Sequence, residues 1–354
     1  MTQKYFRSLK ISGILIIWAV TLLVYVGCGQ DVKAPEPRIA LVYSKNYEVS
    51  FWGLERLFPL FDLHKYEKIH NQLVKNALAQ ESDFNQPDQI TNKEILMLHS
   101  QKFVDSLNDS KMIEKYLWFD LSAFPGFFKS RKNLDNNILK PMRYATGGTL
   151  LAARKSLQHG IAINLGGGFH HGGPDEGEGA CVYADMPIAI RVLQAEGKIA
   201  KALVIDLDAH QGNGTAICLE NDDTCYTFSM HQGNIYPIPK EHSDLDVSLK
   251  QGMKDDEFLA ILERHIDKLF ENEKFDIVFY QAGCDTLKGD AMAQLEMSEE
   301  GIALRDLRVI DACVKRQIPV IMTLGGGFTL NAWSAQYKSI SRIIEKYGLY
   351  KVVK

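Results

Sequence analysis

From residue 38 onward, short apolar runs alternate with longer stretches of mixed character. Arg38-Ile-Ala-Leu-Val-Tyr43, preceded by prolines, predicts a buried first strand. Apolar and charged residues at helical spacing predict helices over 54–80 and 95–107. The segment 124–137 carries Pro125, Gly126 and clustered polar residues and predicts a loop; a helix over 142–158 follows, starting near Pro141. Strands then recur at 160–165, 202–207, 224–230, 275–280 and 319–324. Helices fall at 187–197, where Gly197 is the stop, and at 255–272, 298–316 and 333–347. Such alternation predicts an α/β fold of three layers, a mainly parallel central sheet with helices on both faces. There is no internal repeat or low-complexity tract, so residues 38–354 are expected to form a single domain.

In parallel sheets ligands sit at the carboxyl ends of the strands, and the polar residues gather there. Gly166-Gly-Gly-Phe-His-His171, Asp206-Leu-Asp-Ala-His210, Gln281-Ala-Gly-Cys-Asp285 and Gly325-Gly-Gly-Phe328 each close an apolar run. Asp206, Asp208 and His210 alternate along a segment expected to be extended, which would aim all three to one side. Two carboxylates and an imidazole so placed repel one another or share a cation. Alone, the spacing fits a solvated strand end equally well. Asp285, at the same sheet edge, tips the reading toward a metal. Asp208, His210 and Asp285 supply one nitrogen and two oxygens with a position left open, the catalytic zinc pattern. Asp206 is better placed behind the metal. His170 and His171 could supply a general base and acid, or could simply pack. The expected partners that set their tautomers are Asp206 for His170 and Asn213 for His171. The glycine run before them lets backbone approach a ligand closely.

Composition narrows the function. The apolar share of 46% and charged share of 24% suit a globular protein with a core, and a net charge of −4 argues against nucleic acid as a partner. Six scattered cysteines make no disulfide framework; Cys218 and Cys225 could pair in an oxidising compartment, although buried free thiols fit better. The first residues stand apart. Lys4, Arg7 and Lys10 precede an apolar run over 11–26 that ends in Tyr25-Val26-Gly27-Cys28. Residues 1–28 are therefore expected to be a signal peptide or membrane anchor with a lipobox-like end at Cys28, and residues 29–37 a tether. An uncleaved anchor and an ordinary secretory signal are the competitors. All three place the body outside the cytoplasm, most simply as a membrane-anchored periplasmic or cell-surface lipoprotein of a bacterium.

On these residues the chain closely resembles the histone deacetylase family, of arginase/deacetylase fold, and in particular its class IV branch. The motifs are Leu-Val-Tyr-Ser at 41–44, Gly-Leu-Glu-Arg-Leu at 53–57, Tyr-Ala-Thr-Gly-Gly-Thr at 144–149, Gly-Gly-Gly-Phe-His-His at 166–171, Tyr-Ala-Asp at 183–185, Asp-Leu-Asp-Ala-His-Gln-Gly-Asn-Gly at 206–214, Asn-Ile-Tyr-Pro at 234–237 and Ala-Gly-Cys-Asp-Thr-Leu-Lys-Gly-Asp at 282–290. The resemblance implies zinc on Asp208, His210 and Asp285. It implies His171 as general base and acid, with His170 as partner imidazole. It implies substrate contacts at Gly168, Phe169, Gly179 and Ala180, with Gly179 at the acyl-lysine amide. It also implies structural potassium near Asp206 and Ser229. The implied substrate is an N-acyl-lysine peptide or protein, long acyl chains included.

Two positions depart from the family pattern. Phe328 stands where a catalytic tyrosine would donate to the oxyanion, and one such donor is worth roughly 10²–10³ in turnover. Weak activity on plain acetyl-lysine is therefore expected. Ala180 stands where a phenylalanine usually walls the substrate tunnel, which either widens the tunnel or is filled by a neighbour. The expected function is zinc-dependent amide hydrolysis on an N-acyl amine. A catalytically impaired acyl-group binder and an acetylpolyamine deacetylase are the alternatives. Two-manganese guanidine hydrolysis fits poorly, since Asp290 is the only further acid near Asp285.

Overall fold

In the computed structural model, residues 36–50, 62–118, 126, 129–271 and 273–351 are described. The expected signal or anchor, most of the tether and the motif at 53–57 lie outside them. No helix among the described residues is long and apolar enough to cross a membrane.

Eight strands follow one another: β1 (Arg38–Val42), β2 (Phe84–Asn85), β3 (Gly160–Asn164), β4 (Ala202–Asp206), β5 (Cys225–Gln232), β6 (Leu245–Leu249), β7 (Ile277–Gln281) and β8 (Val320–Thr323). They form one sheet in the order β2-β1-β3-β8-β7-β4-β5-β6, and every pairing is parallel. The central strands are apolar on both faces because both faces are covered. Ile39, Ile161, Leu203 and Val278 point into one core, and their chain neighbours Ala40, Ala162, Ala202 and Ile277 point into the other. Helices α1 (Lys65–Lys75), α4 (Asp255–Ile266), α5 (Glu299–Lys315) and α6 (Ala332–Tyr347) pack on the first core. Helices α2 (Lys140–His159) and α3 (Asp185–Ala195) supply much of the second. The three-layer expectation is met, and Pro37–Lys354 forms one compact unit.

Several local expectations need correction. The helix expected over 95–107 is two short helices, Asn92–Ile95 and Gln101–Ser106. Thr91 and Glu94 cap each other at the first, and Ser100 accepts from Phe103 N at the second, so caps divide what periodicity joined. The loop expected over 124–137 holds a helix, Arg131–Leu134, whose N-cap Ser130 accepts from Asn133 N; a π-turn over Asp135–Leu139 continues it into α2. Strand β6, with alternating exposure, went unread, as did two-residue β2 and the helices Ser110–Leu117 and Asn213–Leu219. The five described cysteines are all buried and free, so Cys218 and Cys225 do not pair.

Candidate metal centre

The loops that carry the candidate chemistry leave β3, β8, β7 and β4, four consecutive strands at the middle of the sheet. Their carboxyl ends converge where the topology rule puts a ligand. Asp208, His210 and Asp285 are buried, and each offers one ligand atom within 4.8 Å of the others. His210 Nδ1 faces Asp285 Oδ2 at 2.7 Å and Asp208 Oδ1 at 3.3 Å. One correction concerns the backbone. β4 ends at Asp206, and 208–210 is bent rather than extended. Asp206 Oδ1 accepts from Asp208 N at 3.1 Å and Asp208 Oδ1 from His210 N at 3.0 Å. These side-chain-to-backbone turns bring the ligand candidates together without strand alternation.

The site is shaped to hold something between the carboxylates. A Cβ at Gly326 would stand 2.6 Å from Asp208 Oδ2 and 2.9 Å from Asp285 Oδ2, and one at Gly283 would stand 1.8 Å from Asp208 Oδ2. Only glycine lets backbone lie this close to the cradle. Gly326 N also donates to Asp208 Oδ2 at 3.0 Å and Ala209 N to Asp285 Oδ1 at 2.7 Å. Two buried carboxylates need positive charge. Burial, and next the charge on Asp208, push Asp285 up to about 7. Burial opposes ionisation of Asp208 too, but the charge of His170 and the bonds from His210 and Asp285 hold it well below the usual range. Burial disfavours a charged His210, yet its bonds to Asp208 and Asp285 raise it to about 10. Protons are thus the cluster's own counter-charge, and a divalent cation on the same three atoms would displace them. The donor set fits zinc.

Beside the cradle lie the two histidines, ring centroids 4.0 Å apart. Both expected partners are in place. His170 Nδ1 meets Asp206 Oδ2 at 2.8 Å, and His171 Nδ1 meets Asn213 Oδ1 at 2.6 Å. Burial works against a charged His170, but Asp206 and Asp208 overcome it and lift it to about 9. Burial, then the charge on His170, hold His171 well below 6.5. The two imidazoles are thus pushed in opposite directions by their surroundings. His171 lies 6.0 Å from His210 between ring centroids.

The remaining expected residues surround these. Gly168 N and Phe169 N donate to the two oxygens of Asp185 at 2.8 Å each, which fixes the glycine loop. Phe169 is half-buried against both cores. Gly179 packs on the His171 ring, and Ala180 N donates to Tyr116 O at 3.1 Å. Phe328 is half-buried, its ring edge-on to His210 at 6.3 Å, and its N–H donates to Asp290 Oδ2 at 2.7 Å. The Tyr337 hydroxyl accepts from Asn76 Nδ2 at 2.6 Å, away from the site, so it does not replace the tyrosine absent at 328. Ser229 pairs with Asp206 in the sheet register, and its hydroxyl meets His231 Nδ1 at 2.9 Å.

Sequence reasoning missed the supports. Arg305, wholly buried, donates to Leu207 O, Gly283 O and Thr286 Oγ1 at 3.1, 2.8 and 3.1 Å, and to Asp306 at 2.8 Å. It ties the β4 loop to the β7 loop. Lys65 Nζ donates to Gly325 O and Gly326 O at 2.6 and 3.1 Å, holding the β8 loop. Tyr236 had been noted only within a motif. Its ring lies 4.9 Å from His171, and Glu178 and Asn213 are polar groups that act on its hydroxyl. An adjacent Arg-Asp pair on the apolar stripe of α5 was the available signal for Arg305; Lys65 offered none.

Comparison with known proteins agrees with the geometry. The family model for the histone deacetylase domain matches residues 60–344. The chain is 33% identical over 298 residues to histone deacetylase 2 of Arabidopsis thaliana, covering 83% of this chain and 76% of that protein. An uncharacterized protein of Picosynechococcus is 33% identical over 282 residues, covering 78% and 89%. Among solved structures, the HD domain of HDA15 superposes with a TM-score of 0.69 at 20% identity, covering 87% and 90%, a likeness of fold. Family match, sheet topology and donor set converge: the chain belongs to the histone deacetylase family and carries its amide-hydrolysing deacylase domain.

Proposed function

We propose that this protein is a zinc-dependent deacylase that removes apolar acyl groups from N-acyl-lysine, or from a related N-acyl amine, outside the cytoplasm. The observation that carries the reading is the convergence of Asp208, His210 and Asp285 on one buried point, flanked by two imidazoles anchored on Asp206 and Asn213. Zinc held by those three residues would polarise the amide carbonyl and make water acidic enough to attack it. The rest falls to this chain's own side chains. Neutral His171, with Nδ1 committed to Asn213, presents Nε2 to accept the proton of the attacking water and then pass it to the leaving amine. His170, anchored on Asp206, would contribute positive charge beside the reacting carbonyl. A monovalent cation near the Asp206–Ser229 pair is a further part of the reading, checked by measuring bound potassium.

Preference for apolar acyl groups rests on the rim. Trp118, Ile238, Met292 and Leu330 are exposed large hydrophobics. Trp118 packs edge-on to Tyr236 with ring centroids 4.4 Å apart, and Met292 O lies 3.2 Å from His210 Nε2. Ile238 and Leu330 each lie two residues from Tyr236 and Phe328. Such a border favours a long chain over acetyl. The test is a hydrolysis screen across acyl chain lengths on lysine peptides and free acylated diamines, with zinc measured on the same sample. We expect one zinc per chain, faster cleavage of long acyl groups than of acetyl, and loss of both zinc and turnover in Asp285→Ala. Faster cleavage of acetylated diamines would move the substrate to polyamines. A zinc-loaded protein that binds acyl peptides and cleaves none would favour the second reading, an acyl-group binder. Phe328, apolar where a donor is needed, is the observation in its favour.

A further inference from the structure

Asparagine behind a catalytic histidine poses a problem that aspartate does not. The amide has an acceptor face and a donor face of nearly the same shape. With Oδ1 toward His171, Nδ1 carries the proton and Nε2 is free to act as a base. With the amide turned over, Nδ2 would donate to Nδ1, and the proton would sit on Nε2, where it blocks that role. Something must choose between the two.

Glu178 makes that choice. Asn213 Nδ2 donates to Glu178 Oε2 at 2.9 Å while Asn213 Oδ1 faces His171 Nδ1 at 2.6 Å. An ionised carboxylate only accepts, so it takes the donor face of the amide and turns the acceptor face to the histidine. Its own position is built. Glu178 and Cys181 exchange backbone hydrogen bonds of 3.0 and 2.8 Å around a tight turn. The two central residues, Gly179 and Ala180, have φ of 56° and 62°, the pair of positive values that such a turn needs. The turn lies flat on the imidazole: a Cβ at Gly179 would come within 2.6 Å of His171 Cδ2. We infer that Glu178 is a positioning residue for His171, acting through the Asn213 amide to hold the imidazole in its Nδ1–H tautomer. The inference rests on the reading of His171 as the general base.

The experiment uses zinc-loaded protein with ¹⁵N-labelled histidine and assigns the His171 signals against His171→Gln. Wild type should show the Nδ1–H tautomer, and Glu178→Gln, whose amide can present either face, should show both. In kinetics Glu178→Gln should lower kcat by roughly 10–100-fold, with KM little changed. Adding Asn213→Asp to Glu178→Gln should restore much of the loss, because a carboxylate at 213 accepts from Nδ1 however it is turned. An unchanged tautomer in Glu178→Gln overturns the inference whatever the rates. A defect confined to KM overturns it as well, since Glu178 would then be touching substrate. Should the wild-type protein hydrolyse nothing, the deacylase reading fails, and the tautomer still decides the role of Glu178.

Discussion

At the scale of single residues, the proposed deacylase chemistry makes Phe328 the clearest limit on turnover. Its ring stands edge-on to His210 and carries no hydroxyl, so in that chemistry the developing oxyanion would lack one donor on that side. Restoring it should help most where a short acyl group offers little binding energy of its own. Phe328→Tyr is expected to raise kcat on an acetyl-lysine peptide by at least about tenfold, within the roughly 10²–10³ that one such donor is worth. An unchanged kcat at saturating peptide would sink the placement. The candidate ligands Asp208, His210 and Asp285 could be read because few side chains do such chemistry, and each follows an apolar run. Arg305 and Lys65 could not. They act by donating to backbone carbonyls of Leu207, Gly283, Gly325 and Gly326, a task that leaves no mark at the acceptor positions.

At the scale of elements, the glycine-rich turns after the strands were legible, because buried parallel strands must end in loops that satisfy their own backbone. Segment 92–106 was misread because Thr91, Glu94 and Ser100 speak through caps rather than periodicity. That region matters to the site. His99, buried and stacked on Phe103, accepts from Ala184 N through Nε2 at 3.1 Å, and its Nδ1 lies 3.2 Å from Pro174 O. It pins both ends of the segment that carries Glu178 and Gly179. Burial lowers the pKa of His99 to about 4. An unfolded histidine titrates near 6.5, so between those values the unfolded chain binds a proton that the folded one refuses. Stability from this group is therefore full above about pH 6.5 and lost as pH falls toward 4, by about 3 kcal/mol in all. Between pH 7 and 5 the wild-type protein should lose about 2 kcal/mol more than His99→Gln in urea denaturation. Equal losses would exclude the effect.

At the scale of the whole molecule, the order β3-β8-β7-β4 sets the site, since it gathers loops drawn from Gly166 to Phe328 at one sheet edge. Strands alternating with helices foretold the layers, but nothing in the sequence foretold the strand order. The basic and apolar start of the chain bears on where this domain works. If Cys28 is lipidated, the wild-type protein should sediment with membranes and take up a palmitate label, and Cys28→Ser should lose the label. Retention of the label in Cys28→Ser would rule out the lipobox.

The backbone itself presses on the carboxylates at Gly283 and Gly326, and a guanidinium locks two of the loops from behind. Main chain thus lines the carboxylates, where a side chain has no room, whereas Tyr236 and Phe328 stand beside His171 and His210 as side chains. Under the proposed deacylase chemistry, substitutions at Tyr236 or Phe328 would reshape the surroundings of the two histidines while the backbone that cradles Asp208 and Asp285 stays as it is.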